Sequence, residues 1–404
     1  MIPDRARKRA MPCRSRRVAL FLFLELCLLL CLSGAGGATS GSGSGKVDPR
    51  SESDRAEKTI LDLTEALGRN RGHVPTWMAL GEAYQAAGDL GEAREAFRQA
   101  AERSGYSLEA LRKWSEVAFQ TRKWGEVKNA CGRILVHLPD DPIALYRRGI
   151  AYRETSKYKA TLPRWLDWRS SERMFKRLIR QDSLYDDAFY QYALLKRLRG
   201  RFTEAIDLAE RQLAHKPGDA LTELQLRRIY QSYLDNRSAP EVVAWLKGHT
   251  AAHAGDYLGE ALRLAGMTAE ADSVLRQWVT SAPKGRVIPA YLSLARVNYE
   301  LGRPREGEAH FWAAVAAIRD TVDAALVYED VKYVVNDQEM AAFARLSWPD
   351  EYAAYFRKVW VSRDPIPSQA YNVRLAEHYR RLLYVEKYYL FDGLKTWHDT
   401  PNRL

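Results

Sequence analysis

Cysteine is scarce in this chain and is placed where it cannot build a disulfide framework. Of the four cysteines, Cys13, Cys27 and Cys31 lie near the N-terminus, which leaves Cys131 by itself. A single cysteine forms neither an internal disulfide nor a multi-cysteine metal site, so both are excluded for the rest of the chain. Cys131 falls on the apolar face of a predicted helix, and we interpret it as a small buried apolar residue.

Motifs of catalysis and cofactor binding are also missing. The chain has no glycine-rich phosphate loop, no nucleophile elbow and no paired-cysteine metal motif. His249 and His253 have the spacing of a zinc site on one helix face, but Thr250 stands where a metalloprotease needs glutamate. His378 follows Glu377 on an amphipathic helix and is expected on its solvated face. We therefore predict no catalytic residue, no metal and no cofactor.

A strong charge of either sign is absent from most of the chain. The 62 Lys and Arg residues stand against 51 Asp and Glu residues, a net charge of +11. Residues 1–38 hold seven basic and two acidic residues, so the rest of the chain carries only +6. No helix-turn-helix, zinc-finger or RNA-binding signature accompanies this mild basicity. The sequence therefore does not favour a nucleic-acid partner.

The N-terminus contains an apolar run with the features of a targeting segment. Basic residues precede apolar residues 18–32, and small residues including Ala35 and Ala38 follow. This order is typical of a secretory signal, and the run is short for a membrane span. We assign residues 1–38 to a signal peptide or an uncleaved anchor, and residues 39–54 to a flexible Gly/Ser linker. The expected location is the periplasm or cell envelope.

A repeated pattern of large and small residues is the main feature of residues 55–320. One copy places Trp77, Gly81 and Tyr84 before Ala93 and Phe97, and weaker copies recur at a period of 34 residues. Apolar residues three and four apart indicate one face of each of two packed helices. Such a pair buries its apolar face only against neighbouring pairs. The sequence predicts an all-α solenoid of about seven helix pairs.

At these residues the chain resembles the tetratricopeptide repeat family. The resemblance implies a right-handed superhelix whose concave groove binds a protein or peptide segment. In that family, the residues one, five and eight places after the first large core residue of each first helix tend to face the groove; we call these the groove positions. Carried over to the second, third and fourth copies, they predict the partner-binding residues Arg112, Phe119, Tyr146, Arg153, Tyr190 and Arg197. Arginine among aromatic residues favours an acidic partner.

The third copy carries an insertion near residues 157–176. Trp165 and Trp168 lie there among four cations, with the second helix displaced by about ten residues to a segment containing Phe175 and Leu178. Tryptophan beside cations favours contact with a membrane surface or a partner, so the insertion is a candidate anchor loop. The alternative is that both side chains pack a lengthened interhelix loop onto the solenoid.

Residues 321–404 form a different C-terminal segment, with two predicted helices joined by a proline-containing turn. Trp360, Arg363, Asp364 and Pro365 resemble a motif at the start of the GWxTD domain of exported bacterial proteins. Leu394 stands where the naming motif of that family has tryptophan. The predicted function is an exported, non-enzymatic interaction scaffold. The alternative is an accessory arm of an enzyme or ligand-binding C-terminal domain.

Overall fold

The computed structural model describes residues 49–249, 254–281 and 287–388. These residues form nineteen helices and no strand, so the predicted all-α class is confirmed. The predicted signal or anchor, most of the predicted linker and His253 lie outside the described residues. The first helix, α1 (Pro49–Arg69), begins inside the segment assigned to the linker. Among the described helices, none combines the length and apolar character needed to cross a bilayer.

Fourteen consecutive helices form seven pairs, the number that the repeat predicts. Each helix packs against the next in the chain, so that every pair is covered by its neighbours. The pairs are α2 (Val74–Ala86) with α3 (Leu90–Arg103), α4 (Leu108–Gln120) with α5 (Trp124–His137), α6 (Pro142–Ser156) with α7 (Thr161–Gln181), α8 (Ala188–Leu198) with α9 (Phe202–His215), α10 (Ala220–Asn236) with α11 (Ala239–Lys247), α12 (Ala254–Leu264) with α13 (Thr268–Thr280), and α14 (Ile288–Glu300) with α15 (Pro304–Ala316).

Small residues in the first helix of a pair make room for large residues of the second. A Cβ atom on Gly81 would lie 2.6 Å from the ring of Phe97, and one on Gly259 would lie 2.2 Å from Cγ of Leu275. Phe97 and Leu275 are completely buried. The glycine of the repeat pattern is therefore a packing requirement, because any side chain there would overlap the second helix.

Cys131 occupies the position of Phe97 in the second pair and is completely buried. Burial raises the pKa of its thiol to about 12. A thiol held in this protonated state is a weak nucleophile and a weak metal ligand. The interpretation of Cys131 as a small core residue is confirmed.

The insertion in the third pair is helical, which corrects the predicted loop. Helix α7 runs without a break from Thr161 to Gln181, and Phe175 and Leu178 on it are completely buried. Its first turns extend the second helix of the pair at its N-terminal end. Most of the ten-residue displacement in the sequence is therefore accommodated as about two additional helical turns, since α7 has 21 residues where α3, α5 and α9 have 14.

Three further helices of the C-terminal segment belong to the same compact unit as the pairs. They are α16 (Thr321–Val331), α18 (Pro349–Val361) and α19 (Val373–Tyr388). Residues 336–346 form a separate unit, with the short helix α17 (Asp337–Phe343). A capping box begins α17, since Asn336 accepts the Glu339 amide and Glu339 accepts the Asn336 amide, both at 2.9 Å.

Candidate functional site on the first helices

The predicted groove residues of pairs two to four form hydrogen bonds that connect one pair to the next. Arg112 donates to Asp141 at 3.1 Å, and Tyr146 donates to Asp187. Each acceptor lies at the start of the first helix of the following pair. Asp187 is half-buried, and burial raises the pKa of its carboxyl even though Tyr146 donates to it. These hydrogen bonds set the spacing of neighbouring first helices.

Two predicted arginines bind polar groups of the next first helix. Arg153 donates to the side-chain oxygen of Gln191 at 2.6 Å and to its carbonyl at 3.1 Å. Arg197 donates to Gln225 at 2.9 Å. The side chain of Arg153 is only 8% exposed, whereas that of Arg112 is 57% exposed. Arg112 is therefore the more accessible cation on this face, and Arg153 acts within the fold.

Aromatic residues contact one another from the second pair to the residues just before the fourth pair. The ring centroids of Phe119 and Tyr146 lie 6.5 Å apart, and those of Tyr146 and Tyr185 lie 5.7 Å apart. Phe119 and Tyr146 are half-buried, so each ring keeps an accessible edge. Tyr190 continues the set into the fourth pair, where burial raises the pKa of its phenol to about 12. Rings held in this way offer apolar contact area with little loss of side-chain entropy on binding.

Groove positions of pairs six and seven are covered by the C-terminal helices of the chain itself. The same spacing, counted from Gly255 and Tyr291, selects six residues. They are Asp256, Glu260, Arg263, Leu292, Arg296 and Tyr299. Sequence reasoning missed them because the groove positions were carried over only as far as the fourth copy. The signal was present for pair seven, since Tyr291 lies three repeat periods after Phe189, but pair six has Gly255 in place of the large core residue.

Helices α16 and α19 bind these positions through ion pairs and stacked rings. Arg263 contacts Glu386 of α19 at 2.9 Å, and Arg296 pairs with Asp330 of α16. The rings of Tyr299 and Tyr379 stack with centroids 4.7 Å apart. In this part of the solenoid, acidic and aromatic side chains of two helices therefore already occupy the first-helix face.

Arg263 lies at the centre of a buried cluster of carboxylates. Its guanidinium contacts Glu260 at 2.8 Å, Glu300 at 2.5 Å and Glu386 at 2.9 Å, and its side chain is 3% exposed. Burial acts to raise the pKa of Glu260, but Arg263 and Arg296 hold it below its ordinary value. Glu260 is therefore ionised, and the cluster depends on both arginines for charge balance.

Asp256 is a buried carboxyl group at a groove position. It is 2% exposed, and its Oδ1 atom accepts no hydrogen bond within the described part of the chain. Burial raises the pKa of this carboxyl to about 8, although the Arg227 guanidinium nearby acts in the opposite direction. Asp256 is therefore mainly protonated at neutral pH in the folded chain.

The substitution D256N is expected to stabilise the chain increasingly as the pH rises. In the unfolded chain the carboxyl titrates near 3.8, but in the folded chain it titrates near 8. Between these values the folded state holds more protons, so the stability of the wild type falls as the pH rises. Asparagine does not titrate, so we expect the stability difference between D256N and the wild type to shift by roughly 5 kcal/mol in favour of D256N between about pH 4 and pH 8. Thermal melts followed by circular dichroism measure the difference.

The exposed Asp62 provides the matched control for this measurement. D62N should follow the wild type across the whole pH range, because a substitution at an exposed position without special contacts changes stability little. A stability difference between D256N and the wild type that did not change with pH would contradict the prediction.

The two tryptophans of the insertion have different environments. Trp168 is half-buried, packs near Phe175 and donates its indole N–H to Ser156 at 3.0 Å. Trp165 is 45% exposed and lies beside Leu162 on the first turns of α7. Only Trp165 is therefore placed for an external contact, and the structure does not bring the two side chains together at one surface.

The predicted C-terminal motif shapes the connection between α18 and α19. Trp360 is completely buried, with its ring centroid 6.1 Å from that of Phe311. Arg363 donates to the Val359 carbonyl at 2.9 Å, and Asp364 accepts the Ile366 amide at 3.1 Å across the exposed Pro365. Trp360 and Arg363 thus hold the end of α18, and Asp364 closes the turn that follows it.

His378 is buried rather than solvated, which corrects the expectation from the sequence. Its Nε2 atom lies 2.7 Å from the carbonyl oxygen of Asp330 on α16. Burial lowers the pKa of the imidazole. Glu377, its neighbour, is on the solvated side and pairs with Arg380 and Arg381 at 2.6 Å each. The helix face packed on α16 was not recognisable from this part of the sequence alone.

One group of side chains in the described residues has donor atoms close enough to share a metal ion. The ligand atoms of Asp207, Glu210 and His249 lie within 4.8 Å of one another. His249 contacts Glu210 at 3.1 Å and stacks on Trp245 at a centroid distance of 4.3 Å. Burial raises the pKa of Glu210. A structural zinc site needs four ligands, and here Glu210 and His249 already satisfy each other.

The model of the tetratricopeptide repeat family matches residues 74–105. This range contains the first helix pair, α2 and α3. The match supports the prediction that the chain is a tetratricopeptide repeat protein. The matched residues include Gly81 and Phe97, and glycines of the third and sixth pairs pack against large residues in the same way. A search of curated proteins found no match to the chain.

Solved structures with some similarity include several tetratricopeptide repeat proteins. One from Parabacteroides merdae is 13% identical over 76% of this chain and 98% of its own, with a TM-score of 0.35. The C-terminal part of one from Cytophaga hutchinsonii is 10% identical over 64% and 89%, with a TM-score of 0.41. YrrB, a repeat protein with an unusual peptide-binding site, is 13% identical over 53% and 97%, with a TM-score of 0.36. Similarity at this level of sequence identity and TM-score does not identify a partner for this chain.

Proposed function

We propose that the protein is an exported scaffold of the bacterial cell envelope that binds a segment of a partner protein. The binding surface consists of the first helices of pairs two to four, which are α4, α6 and α8. Binding is by shape and by a few arginine and aromatic contacts, without turnover. Export rests on the signal-like order of residues 1–38.

The chemistry of the partner segment is inferred from the way in which the chain covers its own first helices. Glu386 and Asp330 bind arginines at groove positions of pairs six and seven, and Tyr379 stacks on a tyrosine there. Pairs two and three also carry an arginine and a tyrosine at groove positions, Arg112 and Tyr146, although these lie one place after the core residue and not five or eight places after it. We therefore expect a segment that carries both carboxylates and an aromatic side chain.

The C-terminal segment has a structural role in this proposal. Residues 321–404 represent the helical opening of a GWxTD-type domain, and two of their helices close one end of the first-helix face. The second candidate function is ligand binding by the C-terminal segment itself. It is favoured by an open cleft beside α18.

The charge-reversal variant R112E/R197E tests the proposed surface. The full chain with a C-terminal affinity tag is expressed in bacteria and recovered from the envelope fraction, and co-purifying proteins are quantified by mass spectrometry. We expect a discrete set of partners to bind the wild type and their recovery to fall about tenfold in the variant, because the glutamate at each position would repel a carboxylate of the partner. Arg153 is left unchanged, since a carboxylate at that buried position would unfold the pair.

The matched control is R180E/R211E, which makes the same charge change at two exposed positions on second helices. This variant should keep the partners of the wild type. Equal recovery of the partners by R112E/R197E would refute the proposed surface. Recovery of the wild-type chain only from the cytoplasmic fraction would refute export.

A further inference from the structure

An open cleft lies between the second helix of the last pair and the turn that follows α18. Helix α15 forms one wall, α18 forms another, and the connection to α19 closes the third side. The cleft has a volume of about 710 Å³. This volume is within the range of sites that hold a ligand of several residues or a drug-sized molecule. It lies on second-helix surface, away from the groove positions of the first helices.

The acidic side chains of this cleft are already satisfied by groups of the chain. Glu308 accepts the amide of Asn372 at 2.6 Å and the indole N–H of Trp312 at 2.9 Å. Asp364 accepts the Ile366 amide at 3.1 Å. These hydrogen bonds hold the connection against α15, so the walls are formed before any ligand binds.

The two cations of the cleft have no such partners. Arg305 on α15 and Arg357 on α18 both line the cleft and are exposed. Within the described residues, neither guanidinium takes part in a hydrogen bond or an ion pair. Arg363, by contrast, donates to the carbonyls of Val359 and Val334. The cleft therefore offers two arginines whose guanidinium donors are free in the described part of the chain, next to carboxylates that have already accepted hydrogen bonds from the chain.

Apolar surface lies beside these cations and continues beyond the cleft. Trp312 and Val315 form part of the lining. Val361 also lines it and is 64% exposed, and Ile366 on the turn that follows is 43% exposed. A small carboxylate would leave this apolar rim in water. A peptide with acidic residues around an apolar one would cover both the arginines and the rim.

We propose that this cleft binds an acidic segment of a partner protein, with carboxylates on Arg305 and Arg357 and an apolar side chain over Trp312. Planar guanidinium groups bind carboxylates in a bidentate manner, which makes two free arginines in one cleft selective for acidic chains. The site is separate from the first-helix surface and does not rest on the proposed function of that surface.

Fluorescence polarisation with synthetic peptides tests the cleft. The probes are fluorescein-labelled peptides of the form Gly-Asp-Asp-X-Asp-Asp-Gly, in which X is Leu, Phe or Trp, together with Asn-substituted counterparts. We expect at least one acidic probe to bind the full chain at low salt and its Asn counterpart to bind at least about tenfold more weakly. The variant R305E/R357E should bind the acidic probe at least about tenfold more weakly than the wild type.

The control R211E/K358E makes an identical change in net charge outside the cleft. Lys358 is the exposed neighbour of Arg357 on α18, so this variant also controls for the local field. It should bind the acidic probe as the wild type does. Failure of every acidic probe to bind the wild type, equal weakening in both double variants, or full displacement by equimolar succinate would each overturn the proposal. R112E/R197E should keep probe binding, which separates this test from that of the first-helix surface.

Discussion

Replacing Arg263 with methionine is expected to destabilise the solenoid by about 3–5 kcal/mol and to detach α19 from the first helices. Arg263 is the shared partner of Glu260, Glu300 and Glu386, at distances of 2.5 to 2.9 Å. Without it, three carboxylates remain close together in a buried region, with Arg296 as the remaining arginine against Glu260. Methionine has a similar volume, so the loss measured is mainly that of the charge.

Hydrogen exchange shows which helices lose amide protection when Arg263 is replaced. Amides of α19 should exchange faster in R263M, because Glu386 loses its partner on α12. Thermal melts measure the accompanying loss of stability. R380M is the matched control, since Arg380 is an exposed arginine on α19 that pairs only at the surface with Glu377. An ion pair at the surface contributes little to stability because solvent screens it, so R380M should remain close to the wild type. Unchanged protection of α19 in R263M would show that its ion pairs do not hold it.

Substitution of Gly259 by valine is expected to cost about 3 kcal/mol. Even the Cβ atom would lie 2.2 Å from Cγ of Leu275, and Leu275 is completely buried in the sixth pair. Neither helix can yield without opening the contact between them, because the next pair packs on the other side. The gain in helix propensity over glycine is only a few tenths of a kcal/mol, so the overlap decides the sign.

Gly68 on α1 provides the control for this substitution. It is exposed on a helix, and a Cβ atom there would meet nothing within 4 Å. G68V should therefore change stability by less than about 0.5 kcal/mol. Denaturant unfolding of both variants makes the comparison. A G259V chain as stable as G68V would mean that the helices of the sixth pair are not packed as closely as the structure has them.

The solenoid was predictable because its packing rule is local. Gly81 and Phe97 are 16 residues apart in the chain, and Gly259 and Leu275 make the same kind of contact at the same separation in the sixth pair. A spacing of this kind is visible in the sequence even when residue identities change. The insertion was misread as a loop because its extra turns precede Phe175, and no local signal separates a longer helix from a longer connection.

Contacts between distant parts of the chain were not predictable in this way. Arg153 was interpreted as a cation available to a partner, but its guanidinium binds Gln191, which is 38 residues away. His378 was expected in solvent, but it is buried against the carbonyl of Asp330, 48 residues away. Residue type and helix periodicity do not predict which distant residue a side chain will contact in the folded chain.

The residue pattern alone predicts the all-α repeat and the number of helix pairs, because apolar residues three and four apart must share one face of a helix and glycine must stand under a large residue. The folded structure was needed to show that α16 and α19 cover the last two first helices. It was also needed to show that the Arg153 guanidinium is bound within the fold and that Arg305 and Arg357 share a cleft. The reason is that a side chain's availability depends on the charges and volumes that folding brings to it, and these come from parts of the chain with no regular spacing between them.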